Sequence, residues 1–159
     1  MPMCAFERSE KGMEFIMQEI ILLDEVKYGM KNKHTIMATG EKRFRQICMK
    51  DKTSYIRAEG ANKGYWQKSH YHKYANEIYI VQKGSILLAQ YIDGKIQINK
   101  INEDETFKVS PNIPHNVYMY PNTITHTVKY GRGEEDDWEA FEKLDNILIG
   151  KDIDNFFNK

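Results

Sequence analysis

The sequence predicts an all-β fold, an antiparallel sandwich or barrel with one short C-terminal helix. Three features predict it. Between residues 14 and 130, short runs rich in Ile, Val, Tyr and Thr recur every 8 to 12 residues or so, each closed by Gly, Asn or Asp. No helical pattern intervenes, which argues against an alternating β-α architecture. The period changes only after the acidic stretch GRGEEDD, where Trp138, Phe141, Leu144, Ile147 and Leu148 recur every three or four residues, as on the apolar stripe of a helix.

Residues 1–13 open on MPMCAFERSEKG, polar and unpatterned, and are expected to be a tail or extension ahead of the folded domain. The domain itself is expected over 14–130. Its candidate strands are EIILLDEV (19–26), KHTIMA (33–38), RFRQICMK (43–50), SYIRAE (54–59), YWQKSHYH (65–72), EIYIVQK (77–83) and SILLAQYI (85–92), with KIQINKI and others beyond. Asp93-Gly94 is a strong two-residue hairpin turn because both residues tolerate positive φ, and Lys83-Gly84 is a weaker one. Residues 131–159 form the acidic loop and a helix that packs on the barrel, with Asp136 and Glu139 in a capping arrangement and Gly150 as the stop.

The chain's 159 residues are room for one ordinary domain with its own core. Lys plus Arg and Asp plus Glu both number 23, so no basic excess draws the chain to nucleic acid or to a membrane surface. A small-molecule ligand is the expected partner. Two cysteines, Cys4 and Cys48, make no secreted disulfide framework, and no apolar run approaches the roughly 20 residues that span a bilayer. A reducing cytoplasmic location is expected.

The chemistry concentrates in GYWQKSHYHKYANEIYIVQKG, residues 64–84. On one strand, positions i and i+2 face the same way about 6.6 Å apart, so His70 and His72 can meet on one ion. Glu77 would return a carboxylate from the next strand. The spacing Gly64, His70, His72, Glu77, Gly84 resembles the first signature motif of the cupin superfamily. SPNIPHNVYM (110–119) resembles the second motif imperfectly: His115 stands at the last ligand position, while Asp104, Ser110, Asn112 and Met119 replace glycine, proline, glycine and asparagine. Asp and Asn tolerate the left-handed turns those glycines serve.

The resemblance implies a small double-stranded β-helix, or jelly-roll barrel, with a divalent transition metal on His70, His72, Glu77 and His115. Fe, Mn, Ni, Co, Cu and Zn all suit such ligands. It also implies a homodimer formed through N-terminal strands. With an unbroken strand over 65–72, Trp66 and Lys68 should face inward with the histidines, as should Tyr79, Val81, Val117 and Met119 on their own strands, while Tyr118 and Tyr120 face out.

Lys68, Glu77 and His126 are the candidate catalytic groups, proton relays beside a Lewis-acidic metal. Arg43, Arg45 and Arg57 are candidates for clamping an anion, although a solvated face explains them as well. The leading functional expectation is a sugar or sugar-phosphate isomerase or epimerase. A metal-dependent dioxygenase is the alternative, and a non-catalytic small-molecule-binding cupin is the third.

Overall fold

The computed structural model describes residues 6–8, 15–17, 19–131, 137–151 and 153, with side chains from residue 19 onward. In chain order the first strands are β1 (Phe6–Arg8), β2 (Phe15–Met17), β3 (Ile20–Lys27), β4 (Met30–Ile36), β5 (Lys42–Cys48), β6 (Ser54–Glu59), β7 (Tyr65–Trp66) and β8 (His70–His72). Then follow β9 (Ala75–Lys83), β10 (Ser85–Ile92), β11 (Lys95–Asn102), β12 (Thr106–Val109), β13 (His115–Met119), β14 (Ile124–Gly131), β15 (Trp138–Ala140) and helix α1 (Glu142–Leu148).

Two antiparallel sheets face one another. One has the order β12-β9-β14-β6-β5-β4-β3; the other runs β11-β10-β13-β8-β15, with β7 also pairing β13. From β9 to β14 the chain passes repeatedly from one sheet to the other, the winding of a jelly roll. β1 and β2 form a ribbon hydrogen-bonded to neither sheet, so residues 6–8, within the expected tail, are a strand.

Cross-strand register sorts the inner face of the larger sheet into three rows. Glu77, Lys129, Ser54 and Ile47 form the first; Tyr79, Thr127, Ile56 and Arg45 the second; Val81, Thr125, Ala58 and Arg43 the third. Directly paired residues share a face, so each row points into the barrel. Ile86, Leu88, Val117 and Met119 meet Tyr79 and Val81 from the opposite sheet and close the core below the site. SILLAQYI reads as a continuous apolar run because β10 is buried on both faces. Its outer face, through Ala89, lies under Leu144 and Leu148 of α1.

The turns follow their residues. Asp93 and Gly94 both take positive φ, and Asp104 and Asn112, the stand-ins for motif glycines, adopt φ of 66° and 62°. At Gly84 (φ +81°) any Cβ would press into Thr123.

Two expectations need correction. The segment 65–72 is two strands separated by Gln67–Ser69, and the break shifts the side-chain parity by one. Tyr65 packs on the barrel core, whereas Trp66 turns outward to the cluster beneath α1 and meets Tyr118 edge-on. Lys68 is exposed, its Nζ 5.4 Å from the Trp138 ring centroid. The backbone irregularity is held by buried Asn116, whose Nδ2 donates to Gln67 O and Ser69 Oγ.

The C-terminal helix also starts later than the apolar period suggests, at Glu142. Trp138–Ala140 instead pairs with β8, Trp138 opposite His72 and Ala140 opposite His70, because the sheet edge beside the histidines offers backbone partners there. Glu139 is therefore on a strand, and among the described residues no side chain caps the helix; Asp136 lies outside them. Gly150 follows the helix at φ +76°, as a stop should.

Candidate metal centre

β8, β9 and β13 bring His70, Glu77 and His115 to one point inside the barrel, with His72 against Glu77 beside them. His115 and His70 are cross-strand partners in one sheet, and Glu77 reaches them from the other. Donor atoms of His70, Glu77 and His115 all lie within 4.8 Å of one another. His70 Nε2 is 3.6 Å from Glu77 Oε1, His115 Nε2 is 3.5 Å from Glu77 Oε2, and His72 Nε2 touches Glu77 Oε1. Glu77, His72 and His115 are buried, and His70 nearly so.

The outer ring nitrogens explain the orientation. His70 Nδ1 donates to Lys68 O at 2.9 Å, and His115 Nδ1 donates to Ile113 O at 2.8 Å. A carbonyl can only accept, so in each neutral ring Nδ1 carries the proton and the Nε2 lone pair points inward. His72 Nδ1 has no hydrogen bond but faces Asp137 Oδ2 at 3.6 Å. Asp137 is itself fixed by the Tyr74 and Ala75 amides, which donate to its two oxygens. Imidazoles oriented by backbone carbonyls, as His70 and His115 are, with lone pairs turned toward a shared point, are the support that metal-binding histidines require.

Electrostatics agrees. Burial, with the neighbouring His115 adding to it, holds the His70 imidazole below its ordinary value. Burial pushes the Glu77 carboxyl up, and only ring nitrogens of His115, His70 and His72 that carry a proton toward it bring the group well below the usual carboxylate range. With the Nε2 lone pairs turned toward it instead, the carboxylate faces only acceptors, and a cation bound between them removes the repulsion. These residues fit a divalent transition metal, with imidazole and carboxylate donors and room for further ligands.

The centre opens into a cavity of about 770 Å³, within the usual range for small-molecule sites. Tyr79, fully buried, points its hydroxyl at His115 Nε2 across 3.2 Å; burial, and then the charge of Glu77, push its pKa well up, so it stays a donor. In the turn just ahead of β5, completely buried Glu41 accepts hydrogen bonds from Arg43 Nε, the Tyr65 hydroxyl and the Gln67 amide. Arg45 stands two residues on, facing the same interior.

The proposed proton relays are placed unequally. Glu77 is at the centre. Lys68 sits at the cavity mouth over Trp138, not beside the histidines. His126 alternates with inward Thr125 and Thr127 and so faces away from the cavity; Tyr55 OH donates to its Nδ1 and Gln82 Oε1 accepts from its Nε2, each at 2.6 Å. Arg57 likewise faces out and pairs with Glu59, while Arg43 and Arg45 line the cavity. Sequence reading passed over Glu41, Asp137 and Lys129. The signal for Lys129 was available, because it alternates with Thr125 and Thr127; Glu41, in a turn, carried none.

Comparison with known proteins gives a consistent but partial picture. No family model matches the chain. A 3-hydroxyanthranilate 3,4-dioxygenase from Candida albicans is 37% identical over 67 residues, 42% of this chain. The match spans only 39% of that protein's length. Among solved structures, a single-residue variant of Streptomyces PAC13 with uridine superposes with a TM-score of 0.52 at 10% identity, covering 75% of this chain and 92% of that one. An oxalate oxidase covers 48% of this chain and 40% of its own at 25% identity, with a TM-score of 0.41.

Proposed function

We propose that this chain, whose fold is that of the cupin superfamily, is a metal-dependent enzyme that holds one divalent transition ion on His70, His72, Glu77 and His115 and acts on a small oxygenated metabolite. The observation that carries the reading is the convergence of ligand atoms of His70, His115 and the buried Glu77 carboxylate within 4.8 Å of one another. When bound, the metal would supply Lewis acidity and, if redox-active, a place for dioxygen. Lys68 O and Ile113 O hold the His70 and His115 rings in orientation, and Asp137 lies 3.6 Å behind His72. Tyr79, protonated throughout the working range, donates toward any oxygen placed beside His115. Val81 and Val117 keep water from the floor of the site.

Between the two catalytic readings, the dioxygenase is favoured. Isomerisation needs a side chain to move a proton, and two of the candidates, Lys68 and His126, stand at the mouth and outside the barrel. The 67-residue likeness to a dioxygenase supports the same choice. One observation keeps the sugar isomerase or epimerase as a second reading. Lys129 pairs across strands with Glu77 and shares its inward face, where an amine could relay a proton.

Oxygen uptake separates the two. Protein loaded in turn with Fe(II), Mn(II), Co(II), Ni(II) and Zn(II) would be offered hydroxylated aromatic acids, including 3-hydroxyanthranilate, and sugars with their phosphates. Substrate loss coupled to oxygen consumption is expected. Anaerobic turnover with deuterium uptake from solvent, abolished by Lys129→Met, would transfer the assignment to the isomerase. Elemental analysis of His72→Ala checks the ligand set: bound metal should fall sharply, and full loading would remove His72 from it.

A further inference from the structure

The inner wall formed by β5 carries two guanidinium groups and one buried carboxylate. Arg43 is spoken for: its Nε donates to Glu41, whose oxygens also take the Tyr65 hydroxyl and the Gln67 amide. Arg45 is held only loosely. Among the described residues it makes a long hydrogen bond to Met37 Sδ at 4.0 Å and an ion pair at 3.9 Å to Oε1 of half-exposed Glu19. Yet its side chain is only 22% exposed and lines the cavity. Five N–H donors with poor acceptors are held at an inner wall where burial, and then the Arg43 charge, pull the guanidinium down from its ordinary value.

Such a group is costly to keep unless something binds it. Arg45 belongs to the same cross-strand row as Tyr79, the residue that touches His115. Three strand spacings separate them, an arc of about 14 Å along the curled sheet, with both side chains directed into the cavity between. A small molecule bound beside His115 would therefore present its far end to Arg45. Glu41 compensates Arg43 at contact distance, whereas half-exposed Glu19, 3.9 Å away, compensates Arg45 only in part. That favours a monoanion over a dianionic phosphate, and the flat guanidinium fork matches a carboxylate in geometry.

We infer that Arg45, with Arg43 held beside it by Glu41, anchors a carboxylate of the substrate on the wall remote from the metal centre. The inference rests on the metal-enzyme reading for its substrate, but it concerns a separate set of residues. The substrate class becomes a small carboxylic acid with an oxygen donor at the opposite end.

Benzoate, benzamide and phenyl phosphate serve as probes, titrated calorimetrically into full-length protein both metal-loaded and chelator-treated. Benzoate should bind at least tenfold more tightly than its neutral isostere benzamide in both forms. Arg45→Gln should erase that preference while elemental analysis finds parental metal content and circular dichroism a folded chain. Equal binding of benzoate and benzamide by the parent, or a preference that survives Arg45→Gln, would overturn the assignment. Tighter binding of phenyl phosphate than of benzoate would overturn the carboxylate in favour of a phosphate. Should Arg45→Gln fail to fold, Arg45→Lys decides: it keeps the charge but loses the fork, and an undiminished preference counts against the proposal. Arg45-dependent benzoate binding in a chain that never loads metal would support this subsite while removing the metal reading. Normal metal loading without the preference would do the reverse.

Discussion

Replacing Glu41 with Ala tests the far wall of the cavity as a structural unit. The carboxylate is completely buried, and its removal strands Arg43 Nε, the Tyr65 hydroxyl and the Gln67 amide at once. Breaking a buried ion pair by deleting one partner typically costs about 3–5 kcal/mol. Arg43 is 21% exposed and faces a cavity that admits water, so the lower end applies, about 3 kcal/mol. For a chain of this size that corresponds to a fall in Tm of roughly 6–12 °C. Glu41→Gln, which keeps an acceptor but loses the charge, should cost about half as much. Arg43→Met on the Glu41→Ala background should restore about 1 kcal/mol or more, because the uncompensated charge is then gone. Urea and thermal unfolding followed by circular dichroism measure all three. A loss below about 1 kcal/mol for Glu41→Ala, or a double variant no more stable than the single one, would refute the idea that Glu41 exists to compensate Arg43.

Asp137→Asn should weaken metal affinity by roughly 10–100-fold in competition with a chelator, because the carboxylate facing His72 Nδ1 is lost while all four proposed ligands remain; unchanged affinity would mean that it serves only the Tyr74 and Ala75 amides. Gly84→Ala should destabilise the fold by about 2–3 kcal/mol, since φ is +81° and the new Cβ would stand 3.1 Å from Thr123 Cα; denaturant titration reads this directly. His126→Gln tests a group held below its ordinary pKa by burial and then by the Arg57 charge. A depressed folded value means that the histidine's contribution is complete above about pH 6.5 and is lost as pH falls through the folded value. The stability gap between parent and variant should therefore narrow on acidification, modestly because the ring is partly exposed, and a gap that widens would reverse the sign of the argument.

Much of the architecture was legible because strand formation here is a local matter. SYIRAE and SILLAQYI became strands with the boundaries their apolar composition and flanking turns predicted, and Asp93, Asp104 and Asn112 took the positive φ that their short polar side chains tolerate. The assembly of His70, Glu77 and His115 was legible too, since motif spacing along paired strands translates directly into spatial proximity. Lys68 and Trp66 were misplaced because period-two counting assumes an unbroken strand, and the break at Gln67–Ser69 depends on Asn116, 47 to 49 residues away. The same holds for Trp138, drawn from a helical pattern into a strand by the open edge beside β8. Periodicity along the chain reports which face a residue prefers, so the sequence by itself determined the strands, the turns and the ligand spacing. Which arginine is loosely paired and which acceptor lies behind each histidine are sums of contacts between distant segments, and only the closing of the two sheets decided them.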